Sequence, residues 1–311
     1  MSTILVTGGA GFIGSHLVEF LSKKNSVIVL DSFLHGNKIE KLNKNIQVIK
    51  GDVKDFNLVK DLSRNCSTIF HLAAILGVEV VAQNNLETIE CEFVGLKNVC
   101  AAAKINNVKK IIYTSSSGVY GKISYKHKVK ENSLIAPASI YAMAKRMGEF
   151  YLKSFQKENN ITCIALRLFN VYGPRQDKRM VIPRFIDQAI NNRPITVLGT
   201  GRDTRDFTYI DDCVKVFDLI NNKVKGFEIL NISKGQDYNI NTLAKNIKKK
   251  LNSNSKIQNI KVPEKIQEYQ VPKRCGDSSK ILKLIKYKPI TSLDEGLDKL
   301  INYLEQKSFK F

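Results

Sequence analysis

The chain has 311 residues, 43% of them apolar and 25% charged, and carries a net charge of +20 from 49 lysines and arginines against 29 acidic residues. That length buries a large core in one large domain or two lobes, and no apolar run reaches the roughly 18 residues that cross a bilayer. The positive charge lies in short clusters such as Lys248-Lys249-Lys250 without interleaved aromatics, which argues against a nucleic-acid partner and for a lysine-rich surface whose field favours small anionic substrates.

The opening residues enter a strand pattern at once (Ile4–Val6), without the basic, apolar and small-residue order of a signal peptide. A cytoplasmic protein with no membrane partner is expected. Helical patterns follow over Phe12–Ser22, Glu87–Lys104 and Ser139–Glu158; strands are expected at Val27–Leu30, Ile46–Ile49, Thr68–Leu72, Lys110–Tyr113 and Thr162–Leu166. These strand runs show little period-2 alternation, as strands covered on both faces do. The alternation predicts an α/β fold with a Rossmann-type, doubly wound parallel sheet. After Gly173-Pro174, a turn signal, the regularity breaks. Helices are expected near Pro183–Asn192, Asp211–Asn222, Ile240–Leu251 and Ser292–Gln306, with strands near Ile195–Leu198 and Glu228–Ile232. The expected division is a cofactor-binding domain over 1–171 and a smaller α/β substrate lobe over 172–311, segments near 207–236 packing back on the first. The six cysteines are scattered with no C-x-x-C pair, so neither a metal site nor a disulfide framework is expected.

The run Thr7-Gly8-Gly9-Ala10-Gly11-Phe12-Ile13-Gly14 follows the first strand and opens a helix. Its glycines permit a tight turn, close approach of a pyrophosphate and close helix–strand packing. The helix that starts at Phe12 and Ile13 brings free N–H groups and a positive dipole to the phosphates. Asp31 ends the next strand, twenty residues after Gly11, where a carboxylate can accept hydrogen bonds from a ribose diol. It would repel a 2′-phosphate, and the next residue is Ser32 rather than arginine. NAD is therefore the expected cofactor.

Tyr141 and Lys145 stand four residues apart, on one face of a helix for which Ser139 is a plausible N-cap. An ammonium beside a phenol favours the phenolate and is expected to lower its pKa from about 10 toward neutrality, making Tyr141 a general acid/base. The loop Tyr113-Thr114-Ser115-Ser116-Ser117-Gly118-Val119-Tyr120-Gly121 sits at the carboxyl end of a predicted strand, outside which ligands of such sheets bind. Ser116 and Ser117 are its candidates to hydrogen-bond a substrate's reacting hydroxyl alongside Tyr141.

This ordered set resembles the extended short-chain dehydrogenase/reductase superfamily, and within it the NAD-dependent nucleotide-sugar epimerase/dehydratase branch, UDP-glucose 4-epimerase-like. The likeness covers essentially the whole chain. It includes Leu166-Arg167-Leu168-Phe169-Asn170-Val171-Tyr172-Gly173-Pro174, the stretch from Arg205 to Asp212, Asp277-Ser278-Ser279-Lys280 and Ser292-Leu293-Asp294-Glu295-Gly296. The resemblance implies that Tyr141 is the acid/base, that Lys145 also binds the nicotinamide ribose, and that Ser116 assists proton transfer. It implies cofactor contacts from Gly8, Gly11, Phe12, Ile13, Gly14, Asp31, Ser32, Gly36, Asp52, Val53, Leu72, Ala73 and Ala74. Asn170 and Arg205 would hold the diphosphate of a nucleotide sugar, for which a guanidinium is suited, and a homodimer would form through the helices near 87–104 and 139–158.

The loop also bears on the reaction. Dehydratases and decarboxylases of this branch carry an acid immediately before Val-Tyr-Gly, and its 3,5-epimerases use a cysteine there; this chain has Ser117 and Gly118. The resemblance therefore implies epimerisation at C4 of a nucleotide-diphosphate sugar, a UDP-hexose first, through a transient 4-keto sugar. The alternatives are a C4 dehydrogenase or 4-keto reductase, a 4,6-dehydratase, and a non-catalytic NAD sensor. Several residues depart from the pattern: Glu92 replaces an asparagine, Glu79 an ordinarily basic or neutral residue, and Gln267 a phosphate-binding arginine that Arg274 could replace.

Overall fold

The computed structural model describes residues 1–75, 84–122, 127–267 and 271–308. Seven strands form the main sheet in the order β11-β6-β5-β4-β1-β2-β3. They are β1 (Thr3–Thr7), β2 (Ser26–Asp31), β3 (Ile46–Lys50), β4 (Cys66–His71), β5 (Lys110–Ser116), β6 (Thr162–Leu168) and β11 (Phe227–Ile232), all paired in parallel. From β1 the chain winds outward through β2 and β3, then returns to lay β4 on β1's other edge. That reversal opens a crevice at the carboxyl ends of β1 and β4, the place where such sheets bind ligands.

Both faces of the sheet are covered, and the pleat explains why its strands read as unbroken apolar runs. Ile4 and Val6 point into one core with Leu17 and Val18 of α1 (Phe12–Leu21) and Phe217 of α7 (Ile210–Lys223). Leu5 points into the other, with Val59 of α2 (Phe56–Leu62), Leu96 and Val99 of α4 (Gly95–Ile105), and Leu152 of α5 (Ile140–Asn159). β11 comes from well beyond residue 171 and extends the sheet beside β6, Leu230 opposite Leu166.

The helix expected over Glu87–Lys104 is instead three pieces. α3 (Asn85–Ile89) passes into a π-helical turn at Glu90–Val94 and then into α4. A π turn inserts a residue and shifts the helical phase, which a 3.6-residue pattern does not register.

The remaining elements are short. β7 (Val171–Tyr172) pairs with β10 (Thr208–Tyr209), and β8 (Ile195–Leu198) with β13 (Ile257–Ile260). β9 (Thr204–Asp206) lies between β12 (Asp237–Asn239) and β14 (Lys273–Arg274). Helices α6 (Val181–Ile190), α8 (Ile240–Lys250), α9 (Glu264–Gln267), α10 (Ser279–Ile285) and α11 (Leu293–Ser308) complete the chain. No helix among the described residues is long and apolar enough to cross a membrane.

Candidate active site

The turn after β1 is built from bare backbone. Gly8 has φ +69°, and a Cβ there would lie 2.6 Å from Ala73 N and 2.7 Å from Leu72 C. A Cβ on Gly14 would lie 2.2 Å from the Gly8 carbonyl oxygen. Glycine is required at both places because α1 and the end of β4 close on the turn with no room for a side chain. α1 begins at Phe12 behind Gly11, which has no side chain to cap it, so the first-turn N–H groups of Phe12, Ile13 and Gly14 are those suited to receive a phosphate.

Asp31 closes the cradle. Its Oδ2 accepts the Ala10 N–H at 2.9 Å and its Oδ1 the Phe33 N–H at 2.8 Å. The carboxylate thus fixes the turn locally and keeps lone pairs for a ligand hydroxyl. Lys38 N–H donates to the Ala10 carbonyl at 2.9 Å, folding the loop that carries the exposed Ser32 and Gly36 back toward the turn. Leu72 N–H bonds the Thr7 carbonyl at 2.9 Å, and Ala73 and Ala74 follow, half-buried. Val53 is buried while Asp52 is exposed. The cradle without Cβ atoms and the carboxylate at the end of β2 fit NAD.

Across the crevice, Ser139 caps α5 by accepting the Ala142 N–H at 3.1 Å. Tyr141 and Lys145 share the next turn, with Lys145 Nζ 5.5 Å from the Tyr141 ring centroid. Ser116, the last residue of β5, lies beside the Tyr141 phenol and pulls its pKa down. Its Oγ also accepts the Gly118 N–H at 3.0 Å, which opens a 3-10 turn in which Ser117 is buried.

The electrostatics differ from the sequence expectation. The Tyr141 phenol is held well above its ordinary value by burial and by the negative charge of Glu92, against a lowering pull from Ser116. Lys145 does not lower it here, because its ammonium sits 2.8 Å from Glu92 Oε2, and a carboxylate at that distance cancels much of its field at the phenol.

A second buried carboxylate, unlike Glu92, escaped the sequence reading. Glu149 Oε1 accepts from Ser115 Oγ at 2.7 Å and from Arg167 Nε at 2.8 Å, while Oε2 accepts from Arg167 Nη2 at 2.8 Å and Arg146 Nη1 at 2.7 Å. This knot ties α5 to β5 and β6. Its signal was available: Glu149 follows Lys145 by four residues on the same helix face.

The second half of the chain brings its candidates to one small sheet. Arg205 on β9 stands beside Arg274 on β14 in parallel register, which puts both side chains on one face. Arg205 Nη1 donates to the Val271 carbonyl at 2.6 Å, and Nη2 is 3.8 Å from Asp203 Oδ2. Arg274 Nη2 donates to the Gly121 carbonyl at 2.9 Å, linking this sheet to the serine loop. Asn170 has φ +26° and gives its amide N–H to the Asp206 carbonyl at 3.0 Å. Gln267 is exposed. Glu79 lies outside the described residues.

A nucleotide cradle at the switch point of a parallel sheet, facing a Ser-Tyr-Lys set, defines a dinucleotide-dependent enzyme. Comparison with known proteins gives the family. The NAD dependent epimerase/dehydratase family matches residues 4–240. A UDP-N-acetyl-alpha-D-glucosaminuronate decarboxylase from Bacillus cytotoxicus is 35% identical over 97% of both chains. A putative UDP-glucose 4-epimerase from Methanocaldococcus jannaschii is 33% identical over 98% of this chain and 99% of that one. Among solved structures, a UDP-glucuronic acid 4-epimerase from Bacillus cereus, in complex with UDP-glucuronic acid and NAD, is 31% identical. It superposes with a TM-score of 0.90 over 98% of this chain and 99% of the other. The chain belongs to the NAD-dependent epimerase/dehydratase family, and its cofactor is NAD.

Proposed function

We propose that this protein epimerises nucleotide-diphosphate sugars at C4, with UDP-hexoses as the first class to test. Position 118 carries the reading. A Cβ on Gly118 would lie 3.2 Å from Ser116 Oγ and 3.4 Å from Ala142 Cβ, so a side chain there would project beside the Ser116–Tyr141 pair. Glycine leaves that place without an acid, and nothing at this position assists loss of water or carbon dioxide from an oxidised sugar.

In this reading Tyr141 takes the proton of the sugar 4-hydroxyl, Ser116 hydrogen-bonds the same oxygen, and Tyr141 returns the proton to that oxygen once the 4-keto sugar has turned its opposite face to the hydride donor. The bound NAD supplies a reversible hydride acceptor for C4. Gly8, Gly11, Phe12, Ile13, Gly14 and Asp31 hold its adenosine diphosphate half, with Ser32, Gly36, Asp52, Val53, Leu72, Ala73 and Ala74 around it. Lys145 reaches its nicotinamide ribose. Arg205 and Arg274, with Asn170, hold the substrate's diphosphate, and the paired guanidiniums suit two adjacent phosphates. Ser117 borders the sugar.

The reading includes a homodimer. Leu86, Ile89 and Val94 on α3 and the π turn, and Met143, Met147 and Phe150 on α5, are large exposed apolar side chains. Phe93 and Tyr151 meet edge to face at 5.9 Å and bring the two helices together. An apolar face of this kind suits a second copy of the chain. A monomer in sedimentation at working concentration would contradict it.

The catalytic reading is tested by NMR of the purified protein with UDP- and GDP-sugars and no added cofactor. A C4 epimer formed over many turnovers is the expected result. A 4-keto product limited to one equivalent per site, or release of carbon dioxide from a uronate, would overturn it.

A further inference from the structure

Glu92 has a place in the site that the sequence motifs do not assign. It lies on the π turn between α3 and α4, and its side chain is 0% exposed, as Lys145's is 1%. The groups around it come from several elements. From α5, Lys145 Nζ is 2.8 Å from Glu92 Oε2, and Tyr141 lies over the same ammonium. From β5, Tyr113 donates its hydroxyl to Glu92 Oε2 at 3.3 Å, and its ring centroid is 4.7 Å from Lys145 Nζ. From β4, His71 stacks on Tyr113 at 5.7 Å and bonds Thr7 Oγ1 through Nδ1 at 2.7 Å. Burial and Lys145 push His71 down to about 3, so it is neutral. Next to Glu92, burial pushes the Cys91 thiol up to about 12. Further out, Lys54 pairs with Asp52, Glu87 and Glu90 at the surface.

With His71 and Cys91 uncharged, the ammonium of Lys145 and the carboxylate of Glu92 are the charges at the back of the pocket. Either alone would be costly to bury. Burial pushes the Glu92 carboxyl up, and Glu92 Oε1 has no hydrogen-bond partner among the described residues; the Lys145 ammonium at 2.8 Å and the Tyr113 hydroxyl pull it back. The Lys145 charge that would draw a proton off Tyr141 is thereby matched. Resting on the reading of Tyr141 as acid/base given above, we propose that Glu92 is a positioning residue: it holds Lys145 in a buried, neutral pair behind Tyr141 and so sets the pH at which the phenol acts as a base.

The test uses Glu92→Gln, with Glu92→Asp as the variant that keeps the charge. In the protein carrying its own cofactor, the acid limb of the pH profile of kcat/KM is expected to move down by one unit or more in Glu92→Gln and to stay near wild type in Glu92→Asp. If Glu92→Gln retains the wild-type limb and loses only kcat, the proposal is overturned. Urea unfolding of Glu92→Gln, Lys145→Met and the double variant supplies a readout that needs no substrate. The double variant is expected to unfold at a higher midpoint than either single one; additive losses would show that the charges are not paired and overturn the proposal. If no nucleotide sugar turns over, the epimerase reading fails while a coupled cycle still upholds the pair, so the two failures are distinguishable.

Discussion

The turn from Thr7 to Gly14 presents bare backbone to the crevice, whereas the face of α5 from Tyr141 to Glu149 is built of side chains that meet partners from β5, β6 and the π turn. The first is specified within one stretch of sequence by the absence of Cβ atoms. The second exists only after residues as distant as 92, 116, 145 and 167 have been brought together. A local device fails through sterics and takes ligand binding with it. A non-local one can lose its chemistry while the fold survives.

Four substitutions and one control probe that difference. Tyr141→Phe is expected to leave folding and cofactor retention intact and to cut turnover by about a thousandfold or more, the upper range of general acid–base catalysis. Bound cofactor is read from the absorbance of the purified protein, and activity above a few per cent of wild type contradicts the assignment. Gly8→Ala acts on the other region. Its Cβ would collide with the Leu72–Ala73 backbone in a left-handed conformation, and we expect a loss of about 3 kcal/mol or more together with the bound cofactor. Gly36→Ala is the control: φ is +75° but a Cβ there meets nothing within 4 Å. It should cost only about 1 kcal/mol in urea unfolding, and equal losses for the two would undo the argument from close packing.

Arg205→Gln is expected to raise KM for the nucleotide sugar about tenfold or more with a smaller change in kcat, from the loss of a charge-assisted phosphate contact. An unchanged KM would remove Arg205 from the substrate site. The last concerns the seam between the regions. His16 on α1 lies 3.0 Å from the Pro174 carbonyl and accepts from Arg175 Nε at 3.1 Å. Burial and Arg175 lower its pKa from 6.5 to about 4. The unfolded chain therefore takes up the proton first, and this site's stability, present above pH 6.5, is lost as pH falls through 4. Its size is at most about 3 kcal/mol. His16→Gln should flatten that part of the melting temperature against pH, and an unaltered profile would contradict it.

The parallel sheet, its core helices and the glycine cradle were legible because each is written in contiguous residues with a period or a spacing. Ser139 as the cap of α5 was legible for the same reason. The fragments β7, β9, β10, β12 and β14 were not, since strands of two or three residues have no periodicity to read. Asp31 was read as a ligand for ribose; the structure shows its carboxylate accepting the Ala10 and Phe33 N–H groups, a local task that spacing alone does not reveal. The Tyr141 phenol was expected to be lowered by Lys145 and is raised instead. Position 92 was visible as a departure, but nothing in the sequence says that a residue on a helix fifty positions upstream closes on Lys145. The register of a π turn and the packing of α5 decide that.

The claim that hydride leaves C4 and returns to it within one protein is tested most directly with UDP-hexoses deuterated at C4, incubated with the purified protein in ordinary water without added cofactor. The account predicts that the C4 epimer retains the deuterium at C4 through many turnovers. Loss of the label to solvent, or a product that never regains hydrogen at C4, would contradict it.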